Sequence, residues 1–303
     1  MLSAQSNRRA FDAPCVTRSL ASLHVIERTA LAIPLRARLS TLFHSNVLQE
    51  NIPANFNERY PISEDHDNLF FHALATMHTP RYQFENSGAL LGDWPRIPLP
   101  STTDLLTRSA MLGRSLADLL DPESAIQLHA EWSFLALLHI PPESTGEATE
   151  ENDRRNAARF ALTAGWGAAG KGATVMPRPG NARQRDWTET ELGRLTTLAT
   201  TQSLTLENVI GLLGQRCVDI YLNGDAYWAA VPVNVWEYTL GGYVVLKKWL
   251  SYREESLLGR PLHEDEARYF AQVVRRITSI LLLSPALDAS YTAILPGATG
   301  LPT

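Results

Sequence analysis

The chain has 303 residues, 45% of them hydrophobic and 19% charged, enough apolar material for one large domain or two ordinary ones. Its 27 basic and 32 acidic residues leave a formal net charge of -5, which excludes a wholly basic nucleic-acid binder but leaves room for a local basic patch. Cys15 and Cys217 stand far apart and outside any CxxC or Cys/His cluster, which points to a reducing, cytoplasmic setting and to no structural zinc.

Residues 1–60 carry short β-like runs such as SLASLHVIE (Ser19–Glu27) and little helical period. Six arginines face only Asp12 and Glu27 in the first 48 residues, a composition shared with transit peptides. No amphipathic arginine face emerges there, so the segment reads as strand and loop. The first helix is expected from Ser63, an N-cap followed by Glu64, Asp65 and Asp67, the charge sign favoured by the helix dipole. Phe70, Ala73, Leu74 and Met77 give it one buried face, and Pro80 is expected to end it. The prolines of DWPRIPLP, Asp93–Pro100, force an extended connection. A second helix is expected over Thr103–Leu120, with Leu105, Leu112, Leu116 and Leu119 inward, and Asp121-Pro122 reads as the opening of a third, through His139.

PESTGEATEEND, residues 142–153, has no apolar side chain larger than alanine and reads as an exposed acidic linker. It divides the expected organisation into an N-terminal β-like segment plus helical part over 1–141 and a mixed part with the basic segment over 154–303. Beyond it the charge flips: residues 154–185 hold seven basic residues, no acid and five glycines. Close backbone approach and positive charge are what phosphate contacts require, so Lys171, Arg178, Arg183 and Arg185 are candidate DNA contacts. A further helical stretch covers 188–213. RCVDIYL, Asn223-Gly224 and DAYWAAV then read as a β-hairpin. VWEY is expected to extend as a strand, Gly241-Gly242 to break it, and a helix to begin near Tyr243 with Leu246, Trp249 and Leu250 inward. Lys247, Lys248 and Ser251 share its opposite side, which adds both lysines to the candidates. A long amphipathic helix over Glu264–Leu283 closes an α+β pattern. The longest apolar run, Ile277–Leu287, is about half of the roughly 20 residues that span a bilayer, so no membrane segment is expected.

Catalytic chemistry finds no foothold. GWGAAGK, Gly165–Lys171, matches most of a phosphate loop, but Gly172 stands where a hydroxyl must hold Mg²⁺, and prolines follow where a helix must start. His66, His72 and His78 recur every six residues, off any single helical face, and read as capping, surface or satisfied core side chains. There is no HExxH and no GxSxG, and no base accompanies either cysteine.

Two stretches carry a specific pattern: ISEDHDNLFFHALATMHTPRYQFENSGALLGDWPRIPLP and VWEYTLGGYVVLKKWLSYREESLLGRPLHEDEARYFAQVVRRI. They resemble the C-terminal target-recognition region of type ISP restriction-modification enzymes and related adenine-N6 DNA methyltransferases. The matching positions are His78, Pro80, Tyr82, Asp93, Pro95, Arg96, Ile97, Pro98, Trp236, Tyr238, Gly241, Gly242, Tyr243, Lys247, Lys248 and Trp249. CVDIYLNGDAYWAAVP and FDAPCVTRSLASLHVIER share the likeness, which runs from about residue 2 to residue 294. The resemblance implies sequence-specific reading of double-stranded DNA for a methyltransferase module, in cis or in trans, that flips and methylates adenine with S-adenosylmethionine.

The chain departs from that layout in one respect. It has no [DNS]PP[YFW] tetrapeptide, its Pro141-Pro142 standing in IPPE, and no glycine-rich cofactor strand. Met1 falls inside the family pattern, so a C-terminal piece is expected, non-catalytic by itself and without a cofactor of its own. The alternative is a detached subunit that docks onto a separate methyltransferase chain. A nucleotide-hydrolysing enzyme using Gly165–Lys171 is the third and weakest reading.

Overall fold

The computed structural model describes residues 2–3, 11, 13–16, 31–32, 65–125, 130–143, 149–240 and 242–298. The expected strand Ser19–Glu27 and the N-cap Ser63 lie outside the described residues. The fold is α+β: helices accompanied by small antiparallel sheets. It divides into two compact units, one of 1–126, 240–242 and 283–303, the other of 127–239 and 243–282. That division falls at 126/127, upstream of the acidic stretch 142–153.

In the first unit, two-residue strands β1 (Leu2–Ser3) and β2 (Leu31–Ala32) pair antiparallel. Helices α1 (Asp65–His78) and α4 (Thr103–Leu120) pack along each other. Thr102 caps α4 by accepting from the Leu105 amide. The buried face of α4 is centred on Leu106, Ala110, Gly113, Leu116 and Ala117, whereas Leu105 and Leu112 stay half exposed. Small residues set this face, because a Cβ on Gly113 would lie 1.9 Å from the Phe71 carbonyl oxygen. Pro80 does not simply end α1. It occupies the first turn of α2 (Pro80–Glu85), where its missing N–H is no loss, and α3 (Ser87–Leu90) follows. Against α2, within the same unit, lies α12 (Ser284–Ile294): Tyr291 meets Tyr82 edge to face at 5.6 Å, and Asp288 accepts from the Arg81 amide.

Motif residues of this unit serve as joinery. His78 Nε2 donates to the Pro14 carbonyl at 2.8 Å, and the Tyr82 hydroxyl donates to the Arg96 carbonyl at 3.1 Å. His72 Nε2 reaches the Pro98 carbonyl at 2.9 Å; since a carbonyl only accepts, Nε2 carries the proton and Nδ1 accepts from Ser109 Oγ. Both histidines are satisfied core residues. Asp93–Pro100 runs extended, as its prolines dictate.

The second unit is built on a four-stranded antiparallel sheet, in the order β3-β8-β7-β6, with β3 Leu137–His139, β6 Ala182–Asp186, β7 Arg216–Tyr221 and β8 Tyr227–Pro232. No helix runs from Pro122 to His139. Residues 121–124 close a turn on Asp121, Ala130–Phe134 is a 3-10 turn, and Leu137–His139 pairs with Ala229–Tyr227. A strand edge offered by β8 overrides the local helical pattern. Acidic residues expected in a linker open α5 (Glu150–Ala158), capped by Thr149 and laced by Glu150–Arg154 and Glu151–Arg155 pairs. The stretch 188–213 is two helices, α6 (Glu189–Thr201) and α7 (Leu206–Leu213), each opened by its own capping box, Thr188/Glu191 and Thr205/Asn208.

The hairpin β7–β8 forms, but without positive φ at Asn223 or Gly224. Asn223 organises the connection through its side chain instead. Its Oδ1 accepts from the Asp225 and Ala226 amides, and its Nδ2 donates to the carbonyls of Arg159 and Ala161. VWEY does not extend: Val233–Trp236 is the short helix α8, Tyr243 belongs to a two-residue strand and is exposed, and α9 covers Val245–Ser251. Short α10 (Glu255–Leu258) leads to α11 (Glu264–Leu282), which buries Ala267, Phe270, Val274 and Ile277 as its period requires. Glu264–Ile294 is long and apolar enough to cross a membrane by length and composition, with mean hydropathy 1.3, yet these same side chains are core. Around them gather Trp132, Trp166, Trp187 and Trp228, the last donating its indole N–H to the Ala267 carbonyl. Trp249 is half-buried, packed on Phe270 at 5.4 Å, with Arg253 over its ring at 4.1 Å.

Candidate nucleic-acid interface

The glycine-rich segment folds as a hairpin of β4 (Gly167–Ala169) and β5 (Val175–Pro177), with Lys171 in the connection. Its opening amides are already engaged. Buried Glu254 accepts from the Gly165 N–H at 3.1 Å and from the Trp166 N–H at 2.7 Å. Gly167 lies against α9, where a Cβ would come within 2.1 Å of the Ser251 carbonyl oxygen. Ser251 is therefore buried, not on an outer side with the lysines. Gly167 thus serves close packing, and two of the N–H groups that a phosphate loop would present, those of Gly165 and Trp166, belong to a carboxylate of the chain itself.

Of the seven cations over 154–185, four meet carboxylates. Arg154 and Arg155 pair along α5, and Arg159 meets Glu143 at 3.0 Å. Arg185 is held on three sides: Nη1 and Nη2 donate to the two oxygens of Glu191, and Nε to Asp219, all at 2.8 Å. Hydrogen bonding by Glu191 foremost raises its pKa further, and its carboxylate partners are mostly buried. Arg185 is thus a structural cation, which removes it from the DNA contacts expected from the sequence. The other oxygen of Asp219 accepts from the Ala230 amide at 3.0 Å, beside the bulge between Val218 and Ile220; this holds Ala230 at φ 57°. Lys171 and Arg178 are exposed and have no carboxylate partner among the described residues. Lys248 Nζ lies between two exposed rings, 4.4 Å from the centroid of Tyr243 and 4.8 Å from that of Tyr252, and half-exposed Lys247 precedes it on α9.

Arg183 is exposed on the edge strand β6, with its guanidinium 4.2 Å above the ring of Tyr221 and Nη1 3.3 Å from the Tyr221 hydroxyl. Tyr221 stacks on Tyr227 at 5.0 Å, and Tyr227 on His139 at 4.8 Å with the planes 9° apart. One continuous row, Arg183–Tyr221–Tyr227–His139, crosses all four strands on one face. Strand register makes it: Tyr221 is opposite Tyr227, and His139 is opposite Tyr227 from the other side. The sequence offers no sign of the row, because His139 falls at the end of an expected helix and cross-strand neighbours have no fixed spacing along a chain.

These features define an α+β binding module, with cations gathered on one hairpin and one sheet edge. The family model of the Type ISP C-terminal specificity domain matches residues 1–160 and 198–277, and the chain belongs to that family. DNA target recognition is the role this membership supports. Among solved structures, the chain is similar to a cryoEM structure of a DrdV–DNA complex, at 17% identity and TM-score 0.48 over 96% of this chain and 24% of that one. It is also similar to a nuclease-deletion mutant of the Type ISP restriction-modification enzyme LlaGI in complex with a DNA substrate mimic, at 12% identity and TM-score 0.36 over 73% of this chain and 16% of that one. The chain therefore spans about a quarter or less of the length of these two. No curated protein matches.

Proposed function

We propose that this chain is the DNA target-recognition module of a restriction-modification system, binding double-stranded DNA sequence-specifically on behalf of an adenine-N6 methyltransferase module in cis or in trans. Membership in the specificity-domain family carries the reading. The charge distribution supports it: Lys171 and Arg178 are exposed on a net acidic protein with no carboxylate partner among the described residues, and Lys247 and Lys248 offer a second cationic pair. Such side chains meet phosphates, which position a protein on a duplex without reading it. S-adenosylmethionine belongs to the associated module. In this chain the first two amides of the loop that resembles a phosphate cradle, those of Gly165 and Trp166, are tied to Glu254. The free thiols of Cys15 and Cys217 suit action in the cytoplasm.

The test is the affinity of the full chain for duplex DNA across a range of salt concentrations. Log affinity is expected to fall linearly with log salt, and Lys171→Ala and Arg178→Ala each to flatten the slope by about 0.9, on all sequences alike. Affinity that does not respond to salt, or no affinity at all, overturns the proposal.

A further inference from the structure

We infer that the row Arg183–Tyr221–Tyr227–His139 is a surface that reads base edges in a groove of double-stranded DNA; this rests on the function proposed above. The stacking geometry carries the inference. Each tyrosine has both ring faces covered, Tyr221 by Arg183 and Tyr227, and Tyr227 by Tyr221 and His139. A sheet that stacks unpaired bases needs free ring faces, as in single-strand binders. Here the faces are used up, and what remains is a line of polar tips: a guanidinium, two phenol hydroxyls and an imidazole. Hydroxyl, imidazole and guanidinium groups supply the donors and acceptors that discriminate base pairs in the major groove.

Three observations narrow the occupant to a duplex. The row is pre-organised: each side chain is clamped by its neighbour, and the strand beneath is pinned by Asp219, which joins Arg185 to the Ala230 amide. Reading therefore requires little ordering of side chains on contact. Four strands set about 4.8 Å apart give the row a length of about 14 Å, which matches roughly four base-pair steps of 3.4 Å. Charge complements DNA, since Arg183 at the row's end is preceded in the chain by exposed Lys171 and Arg178, while the nearby carboxylates Asp219, Glu191 and Asp186 are paired with Arg185 and Arg216.

Arg183 also lies in residues 161–197, which the family match omits, whereas its row partners His139, Tyr221 and Tyr227 lie inside the match. The row thus joins three residues inside the family match to one that the match does not cover. The expected phosphate contact at Arg183 becomes a base contact, because its direction is fixed by Tyr221 where a phosphate ligand needs only reach.

The experiment is selection of bound duplexes from a randomised library by the full chain and by Arg183→Ala, Tyr221→Phe, Tyr227→Phe and His139→Ala. The tyrosine variants remove a hydroxyl and keep the stack, so their melting temperatures serve as a control for folding. Each variant is expected to lose about tenfold of its preference at one base position while its affinity for random duplex stays within about twofold. If a variant instead keeps the wild-type motif and weakens on all sequences with a flatter salt slope, the row touches phosphates and the inference is wrong. If the wild type binds random duplex in a salt-dependent way but enriches no motif, the row reads nothing, while the general DNA-binding role stands. Absence of any duplex binding removes both.

Discussion

Residues that look alike in the sequence have opposite duties here. Arg185 and Lys171 share one acid-free run, yet Arg185 holds Glu191 and Asp219 together, and Lys171 faces solvent. Arg185→Ala leaves two mostly buried carboxylates without their cation and is expected to destabilise the protein by about 2–3 kcal/mol in denaturant melts. Lys171→Ala is expected to melt like the wild type. Titration in the first unit gives a second residue-scale expectation. Burial pushes the His78 imidazole down to about 4 from its ordinary value of 6.5, and burial lowers His72 as well. The folded form of each holds its proton less tightly than the unfolded form, so the stability they contribute is full above 6.5. It is lost as pH falls below 6.5, for His78 as pH approaches about 4. A plot of unfolding free energy against pH should show that decline, and His78→Gln should reduce it.

Among the elements, α4 shows how packing reverses intrinsic propensity. Gly113 lies mid-helix, and alanine there gains up to about 1 kcal/mol of helix propensity. The added methyl would collide with the Phe71 carbonyl of α1 at 1.9 Å, so Gly113→Ala is expected to lower the melting temperature despite that gain. The long C-terminal motif behaves similarly. Trp249 packs against Trp228 and Phe270, and Glu254 closes the Gly165–Trp166 turn. Trp249→Ala is expected to cost about 3 kcal/mol in denaturant melts. The residues of the two long family motifs mostly hold helices and turns in place; of the side chains proposed to read DNA, Tyr221 and Tyr227 lie in the shared stretch CVDIYLNGDAYWAAVP and Arg183 lies outside the family match.

At the scale of the whole molecule, family membership supports DNA target recognition, and the function proposed above assigns the chemistry to an associated methyltransferase module. Calorimetric titration of the full chain with S-adenosylmethionine is expected to give no saturable heat, and micromolar binding would mean that the chain carries a cofactor site. Features that depend on local pattern are legible along the chain. Helices α4 and α11 have period and acids in the first turn, the β7–β8 hairpin has its strand propensities, and the family pattern is written in contiguous motifs. Tertiary structure alone decided the rest. Leu137–His139 became a strand because β8 offered an open edge, Val233–Trp236 coiled instead of extending, and Arg185 left the candidate contacts when Glu191 and Asp219 arrived from other elements. The stacked row belongs to this second kind, since its four members come from four strands and register alone brings them together. Side-chain proximity across strands is set by hydrogen-bonded pairing between distant segments, and no spacing along the chain encodes it.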